Sequence, residues 1–349
     1  MPEVVSFAGP YDVALVACDQ QPLVPGSVRL RTWYSGISAG TELTAYRGSN
    51  PYLTRTWDAQ RRLFVDGEPS FAYPVQGWGY SEVGEVVEVA DDVEAPAVGD
   101  VVHGIWGHRS DAVVPAAAVR DRVWTGDAVS GTFARVGSIA LNAVLAAEAR
   151  LGDRVAVFGQ GVIGLLATRI AVLSGAEVVA VDGVPERLAA ARSMGAVEVV
   201  AATVDAGAGA AIRDWSGGGV DSAIELSGND RALHEAVRSV VVDGTVVASG
   251  FYQGGAEHLR LGEEFHHNRV RIVASQIGGT PVALGPHWNQ PRLVRTFMDQ
   301  VGQGRVAGRA LGTDVVVATE VAAIFERRDR GDPTILQAVL RFPAATGGS

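Results

Sequence analysis

Gly159-Gln160-Gly161-Val162-Ile163-Gly164 lies between an apolar run ending at Phe158 and a helical period beginning at Val162. Glycines at that spacing let a phosphate approach the backbone at a helix N-terminus. Gly159 permits the tight turn, Gly161 admits the pyrophosphate, and Gly164 lets helix and strand pack closely. The next strand-like run ends at Asp182, 18 residues beyond Gly164, where an acid binds ribose hydroxyls. Strand, turn, helix and acid in this register predict a dinucleotide site, with NAD as its cofactor. A carboxylate at Asp182 repels a 2′-phosphate. Arg187, five residues on, either turns inward to offset that acid and admits NADP, or is a solvated first-turn residue. Ser227-Gly228 and Gly250-Phe251 follow later strand-like runs, at the sheet edge where ligands bind, and read either as further contacts or as turns.

These residues need a parallel sheet to hold them, and the surrounding text supplies one. From Thr132 to Ala149 the apolar residues recur with a helical period, and beyond it short β-branched runs alternate with helical ones as far as Ser275. That alternation predicts βαβ units and about six strands, the number in a doubly wound dinucleotide-binding sheet. The preceding text, Val4 to Ala118, is strand-like throughout and cut by Gly, Pro and Asp, as in an antiparallel, barrel-like domain. After Gly279 come two helical periods and two apolar strands, which most economically return to the first domain. The expected class is therefore α/β, with a Rossmann domain over residues 140–279 and a β-rich domain made of residues 1–139 and 280–349.

Composition removes several mechanisms. All 29 basic residues are Arg, so Schiff-base chemistry and any catalytic lysine are excluded. The single Cys, Cys18, excludes an intrachain disulfide and a four-Cys zinc lobe. With 39 acids and a net charge of −10, the chain makes a poor ligand for nucleic acid or an anionic membrane. The absence of a basic-then-apolar start and of a membrane-length apolar run predicts a cytoplasmic protein.

Ser35-Gly36-Ile37-Ser38-Ala39-Gly40-Thr41-Glu42, Gly77-Trp78-Gly79-Tyr80, Val83-Gly84-Glu85-Val86, Val98-Gly99-Asp100-Val101-Val102, the glycine loop and Val220 to Gly228 together resemble the medium-chain dehydrogenases/reductases. The resemblance covers nearly the whole chain and implies a GroES-like catalytic domain interrupted by the Rossmann domain. It also implies Asn142 beside the nicotinamide, and departures at the metal. Where zinc members carry Cys, His and a third ligand, this chain has Ser38, Tyr80 and Ser138. Neutral hydroxyls do not replace thiolate or imidazole at zinc, so no metal is expected. The text is similar to a zinc-lacking branch often labelled as like bacteriochlorophyllide dehydrogenase.

Without zinc or Lys, the charge that develops on a carbonyl oxygen must meet hydroxyls, imidazole or Arg. Tyr80 either donates its phenol proton or fills the vacated space. Thr41 either relays that proton or caps the segment that Glu42 opens. His108 either couples the relay to solvent or is a structural hydrogen-bonding residue. Glu42 is the family's acidic position or a helix-start carboxylate. Tyr46, Trp57, Trp78 and Trp288 line a substrate pocket or pack the core. His266 and His267 receive no role, since adjacent side chains diverge.

The expected function is a zinc-independent NAD(P)(H) oxidoreductase interconverting a secondary alcohol and a ketone on a polar cyclic or small-metabolite substrate. Conjugate hydride addition to an alkene, as in quinone and enoyl reductases, is the alternative, and a non-catalytic dinucleotide-binding protein the third. A homodimer, or a dimer of dimers, is implied through the edge strand near Val270 to Ser275.

Overall fold

The computed structural model describes residues 1–203, 207–308, 311 and 313–343. They form two compact units, Met1–Arg135 with the segment from Gly308 onward, and Val136–Ala307.

In the second unit the β-branched runs become six strands in the order Glu198–Ala201, Glu177–Asp182, Arg154–Phe158, Val220–Glu225, Val240–Ala248, Arg271–Ala274. Every neighbouring pair is parallel. Runs such as Val155, Ala156 and Val157 are completely buried, as strands covered by helices on both faces must be. The strand order reverses between Arg154–Phe158 and Val220–Glu225, so their carboxyl ends flank the crevice where ligands of such sheets bind. The helix Asp230–Ser239 starts where the Asn229 side chain accepts the Arg231 N–H at 2.9 Å, a cap that its sequence provides. The helix Ala208–Ser216 is invisible as an apolar period because its first turn is Ala and Gly.

The helix Gln290–Gly302 belongs to this unit too, whereas the sequence places it on the returning limb. The physical reason is a close packing: a Cβ on Gly137 would lie 2.1 Å from the ring of Phe297, so only glycine lets the two helices meet there. The units accordingly divide at 135/136 and 307/308 rather than at 139/140 and 279/280.

In the first unit the long strand Ser27–Ile37 is the organiser. It pairs antiparallel with Glu82–Val89, with Asp111–Pro115 and with Gln337–Arg341. The last of these brings the tail back, with Ala338 opposite Ile37. Glu3–Gly9 pairs with Asp12–Ala17 and Val75–Gln76. One core of this unit gathers Phe7, Ile37, Phe325 and Leu340, and a second gathers Val28, Leu30, Val86 and Val102. Among the described residues no helix is long and apolar enough to cross a membrane.

Candidate functional site

The glycine loop has the geometry that its spacing demands. Gly159 has φ +85°, and a Cβ on it would lie 2.8 Å from the Ser227 nitrogen. A Cβ on Gly164 would lie 1.7 Å from the Gly159 carbonyl oxygen, yet one on Gly161 would meet nothing within 4 Å. The crowded glycines thus set the turn, and the open one faces free space. Gly161 caps the helix Val162–Leu173 without any side-chain hydrogen bond, so the first-turn N–H groups of Val162, Ile163 and Gly164 lack a capping acceptor, as an anion site requires.

Asp182 ends its strand beside this loop and is 8% exposed. Its Oδ2 accepts the Gln160 N–H at 2.6 Å and its Oδ1 accepts the Val184 N–H at 2.9 Å. The carboxylate therefore fixes the phosphate turn, and each oxygen keeps a further lone pair for a ligand. A cavity of about 820 Å³ runs along Gly159, Asp182, Arg187 and Ser227 to Arg238 and Glu264. Arg187 lines it with a buried Nε that has no hydrogen-bond partner.

Ser227, Gly228 and Gly250 come together at the carboxyl edge of the sheet, where a Cβ on Gly250 would lie 2.3 Å from the Gly228 nitrogen. Phe251 follows and is 44% exposed. Asn142 is buried, and its Nδ2 donates to the Ser275 and Gly279 carbonyls at 3.2 and 3.0 Å. Sequence reasoning missed Glu225, which these loops surround. The available signal was a charged residue ending an apolar strand.

The first unit brings Ser38, Thr41, Glu42, Tyr80 and His108 into one cluster. The loop that follows Ser27–Ile37 carries Ser38 and Thr41, and the helix Glu42–Arg47 begins as the Glu42 N–H reaches the Ser38 carbonyl at 3.2 Å. The Tyr80 hydroxyl donates to Ser38 Oγ, and Thr41 is its second hydroxyl neighbour. Thr41 makes no side-chain capping bond, so the capping reading gives way to contact with Tyr80. Tyr80 itself stays partly accessible.

Beneath it lies a buried network that sequence reasoning saw only in part. His108 Nε2 is 2.7 Å from Glu42 Oε2, and its Nδ1 is 2.5 Å from Ser35 Oγ. Ser35 donates to Glu82 Oε1 at 3.0 Å, and Glu82 Oε2 accepts the Trp106 N–H at 2.8 Å. With Glu82 ionised, the Ser35 hydroxyl donates to it and accepts from Nδ1–H, and Nε2–H donates to Glu42, so that state of the network carries a doubly protonated ring. His108, Glu42 and Glu82 are 0% exposed. His108 is thus a buried hydrogen-bonding residue, its ring held by Glu42 and Ser35 among the described residues.

The electrostatics follow from burial against charge. Burial pulls the His108 pKa down, but the Glu42 charge and hydrogen bond, with the Glu82 charge, outweigh it and leave it raised. Burial pushes the Glu82 carboxyl up, against the pull of His108 and its donors. Burial and then the Glu42 charge push the Tyr80 phenol up, while Ser38, Thr41 and the Arg135 cation pull it back. Gly79 makes the arrangement possible: at φ +129°, a Cβ there would lie 2.9 Å from both Glu82 Oε1 and the His108 nitrogen.

The aromatic candidates separate. Tyr46 belongs to the core, Trp57 and Trp78 to a chain of rings through Tyr52, Phe64 and Phe71, and Trp288 carries the Arg292 guanidinium 4.3 Å from its ring. Among the described residues, the trio of His, Cys, Asp or Glu side chains that gathers at metal-ligand separation is His234, Glu263 and Glu264. It lies in the second unit, and Arg260 and Arg238 already bind its two acids, each at 3.3 Å.

A family model described as zinc-binding dehydrogenase matches residues 162–287. The chain is 29% identical over 314 residues to the D-guloside 3-dehydrogenase of Escherichia coli strain K12, covering 87% of this chain and 89% of that one. It is 25% identical over 286 residues to the 2-desacetyl-2-hydroxyethyl bacteriochlorophyllide A dehydrogenase of Cereibacter sphaeroides, covering 77% and 80%. The crystal structure of 2R,3R-butanediol dehydrogenase from Bacillus subtilis shares the fold, with a TM-score of 0.77 at 23% identity over 99% of this chain and 100% of that one. With the family's model matched in the second unit and similarity running through both, the chain is similar to the zinc-binding dehydrogenases, and its relatives support an enzyme of the alcohol dehydrogenase type.

Proposed function

We propose that the enzyme interconverts a secondary alcohol and a ketone without zinc, using NAD(H), with Tyr80 as the group that exchanges a proton with the substrate oxygen. The observation that carries this reading is the pairing of Tyr80 with Ser38. Two positions at which the family resemblance implies metal ligands hold hydroxyls bonded to each other here. A phenol kept protonated by burial and two alcohols offer neutral oxygen donors, which do not fit zinc. They do fit hydrogen bonding to an alkoxide. Two curated relatives, named for a glycoside and for a hydroxyethyl-bearing ring, support a polar or cyclic alcohol as substrate.

When bound, the nicotinamide supplies or takes up the hydride. The chain's own residues do the rest. Gly161 and the helix start hold the pyrophosphate, Asp182 holds ribose hydroxyls, and Tyr80 donates to the oxygen that gains charge as a ketone is reduced. Arg135, close enough to lower the Tyr80 pKa, stabilises the phenolate left behind. A second reading of the cofactor, NADP(H), is favoured by the partnerless Nε of Arg187 in the same cavity.

Titration of metal-analysed protein with NADH and NADPH, with Asp182→Ala alongside, tests this reading. The expected results are less than stoichiometric zinc, tighter binding of NADH than NADPH, and at least about tenfold weaker NADH binding in the variant, the worth of a charge-assisted hydrogen bond. Stoichiometric zinc, or reduction of an enone's C=C bond with no turnover of a ketone, overturns it.

The edge strand Arg271–Ala274 ends its sheet with one side unpaired within the described residues. We infer that it pairs with its copy across a two-fold axis, as a homodimer or a dimer of dimers. Sedimentation of the purified protein is expected to give two or four protomer masses, and a monomer mass at micromolar concentration overturns the inference.

A further inference from the structure

We infer that Glu225 is a positioning residue for the cofactor, clamping the loops that follow two neighbouring strands into one surface. The inference rests on the proposed dinucleotide reading of the second unit. Glu225 is the last residue of the strand Val220–Glu225, next to the point where the strand order reverses, and it is 0% exposed. Its Oε1 accepts the Ser227 N–H at 2.7 Å and the Ser227 hydroxyl. Its Oε2 accepts the Gly228 N–H at 3.1 Å and the hydroxyl of Tyr252. Its backbone carbonyl accepts the Ser249 and Gly250 N–H groups, both at 2.9 Å.

One residue thus fixes the loop after its own strand and the loop after the neighbouring strand Val240–Ala248. Four donors on one carboxylate is a full set for its lone pairs. That is how a charge deep at a sheet edge stays tolerable. The clamp reaches the phosphate turn, because the Gly159 Cβ position is 2.8 Å from the same Ser227 nitrogen. It also leaves no slack between the loops: a Cβ on Gly250 would sit 2.8 Å from Glu225 Oε2. Tyr252 is the second half of the clamp. Its phenol, pushed up by burial and then by the Glu225 charge, stays a donor at any working pH.

Glu225→Gln preserves shape but replaces one acceptor oxygen with an amide that faces a donor. The test is an NADH and NADPH fluorescence titration of wild type, Glu225→Gln and Tyr252→Phe, with steady-state kinetics. Glu225→Gln is expected to weaken binding of the preferred nucleotide about tenfold, and Tyr252→Phe about threefold. The nucleotide KM should rise in parallel, while the alcohol KM and kcat at saturating nucleotide stay within about twofold. A structural role alone would lower kcat by reducing the active fraction and leave the dissociation constant unmoved, which overturns the inference. If Glu225→Gln fails to fold, an unchanged dissociation constant in Tyr252→Phe overturns it instead. Wild type binding neither nucleotide overturns the cofactor reading and this inference together, whereas wild-type binding with unaltered variants overturns this inference alone.

Discussion

Tyr80→Phe lowers kcat for ketone reduction about 10²- to 10³-fold at pH 7, the range of a lost general acid, and leaves the NADH dissociation constant within about twofold. The substitution deletes one oxygen and keeps the ring, so the space beside Ser38 stays filled. On the proposed mechanism, what disappears is the donor that meets charge developing on the substrate oxygen. Burial, with the Glu42 charge, holds the phenol pKa above its ordinary value of 10, so Tyr80 is protonated throughout the neutral range. Ketone reduction therefore loses no activity between pH 6 and pH 9 on account of this group. Steady-state kinetics on a ketone, with nucleotide titration as the control, checks it. Equal kcat for wild type and Tyr80→Phe would show the ring to be a plug.

His108→Ala is the second large effect, and it acts on stability. It strips the cation from between Glu42 and Glu82, both 0% exposed, and leaves buried carboxylates without their partner. Breaking a buried pair this way costs about 3–5 kcal/mol, so the melting temperature should fall by about 10 °C. The pH dependence has a definite sign. The folded-state pKa of His108 is raised above 6.5, chiefly by Glu42 working against burial. Its stabilisation is complete below pH 6.5 and is lost as pH rises through the raised value. Glu82, pushed up by burial, gives a slope of the same sign beginning above its ordinary 4.5. Thermal melts of the wild type from pH 5 to pH 9 should show its stability falling as pH rises above 6.5. A variant that melts within about 2 °C of wild type at pH 6 rules the network out as a stability determinant.

The two halves of the molecule were unequally legible. The turn of the glycine loop and the strand end at Asp182 could be read because their geometry depends on neighbours in sequence: the turn, the helix start and the strand end all lie within one βαβ unit. The returning tail was legible through its apolar strand, and Gln337–Arg341 does pair with Ser27–Ile37. The helix Gln290–Gly302 was misplaced because its unit is decided by Phe297 meeting Gly137, a contact that no local period announces.

The network under Tyr80 was harder still. Glu42 and His108 are 66 residues apart in the chain, and a carboxylate beside a short helix reads as a solvated one until its burial is known. Ser35 and Glu82 sit on strands where alternation gives only a face, and Arg135 reads as the exposed side of a helix. Glu225 was missed for the same reason: it ends an apolar strand, and its four donors come from loops whose sequence offers both contacts and turns without pointing to a carboxylate between them.

On the proposed zinc-free reading, the hydroxyl pairing of Ser38 and Tyr80 bears on the conditions the enzyme can survive. A thiolate–zinc centre fails when peroxide oxidises its sulfurs or when the surroundings run short of metal. A centre made of alcohol, phenol, imidazole and carboxylate has no sulfur to oxidise and no ion to lose. The chain's single thiol, Cys18, lies just beyond the strand Asp12–Ala17, outside the Tyr80 cluster. Under that reading, hydroxyls in place of metal ligands would exchange a strong Lewis acid for a site that keeps its chemistry under oxidant and under metal starvation.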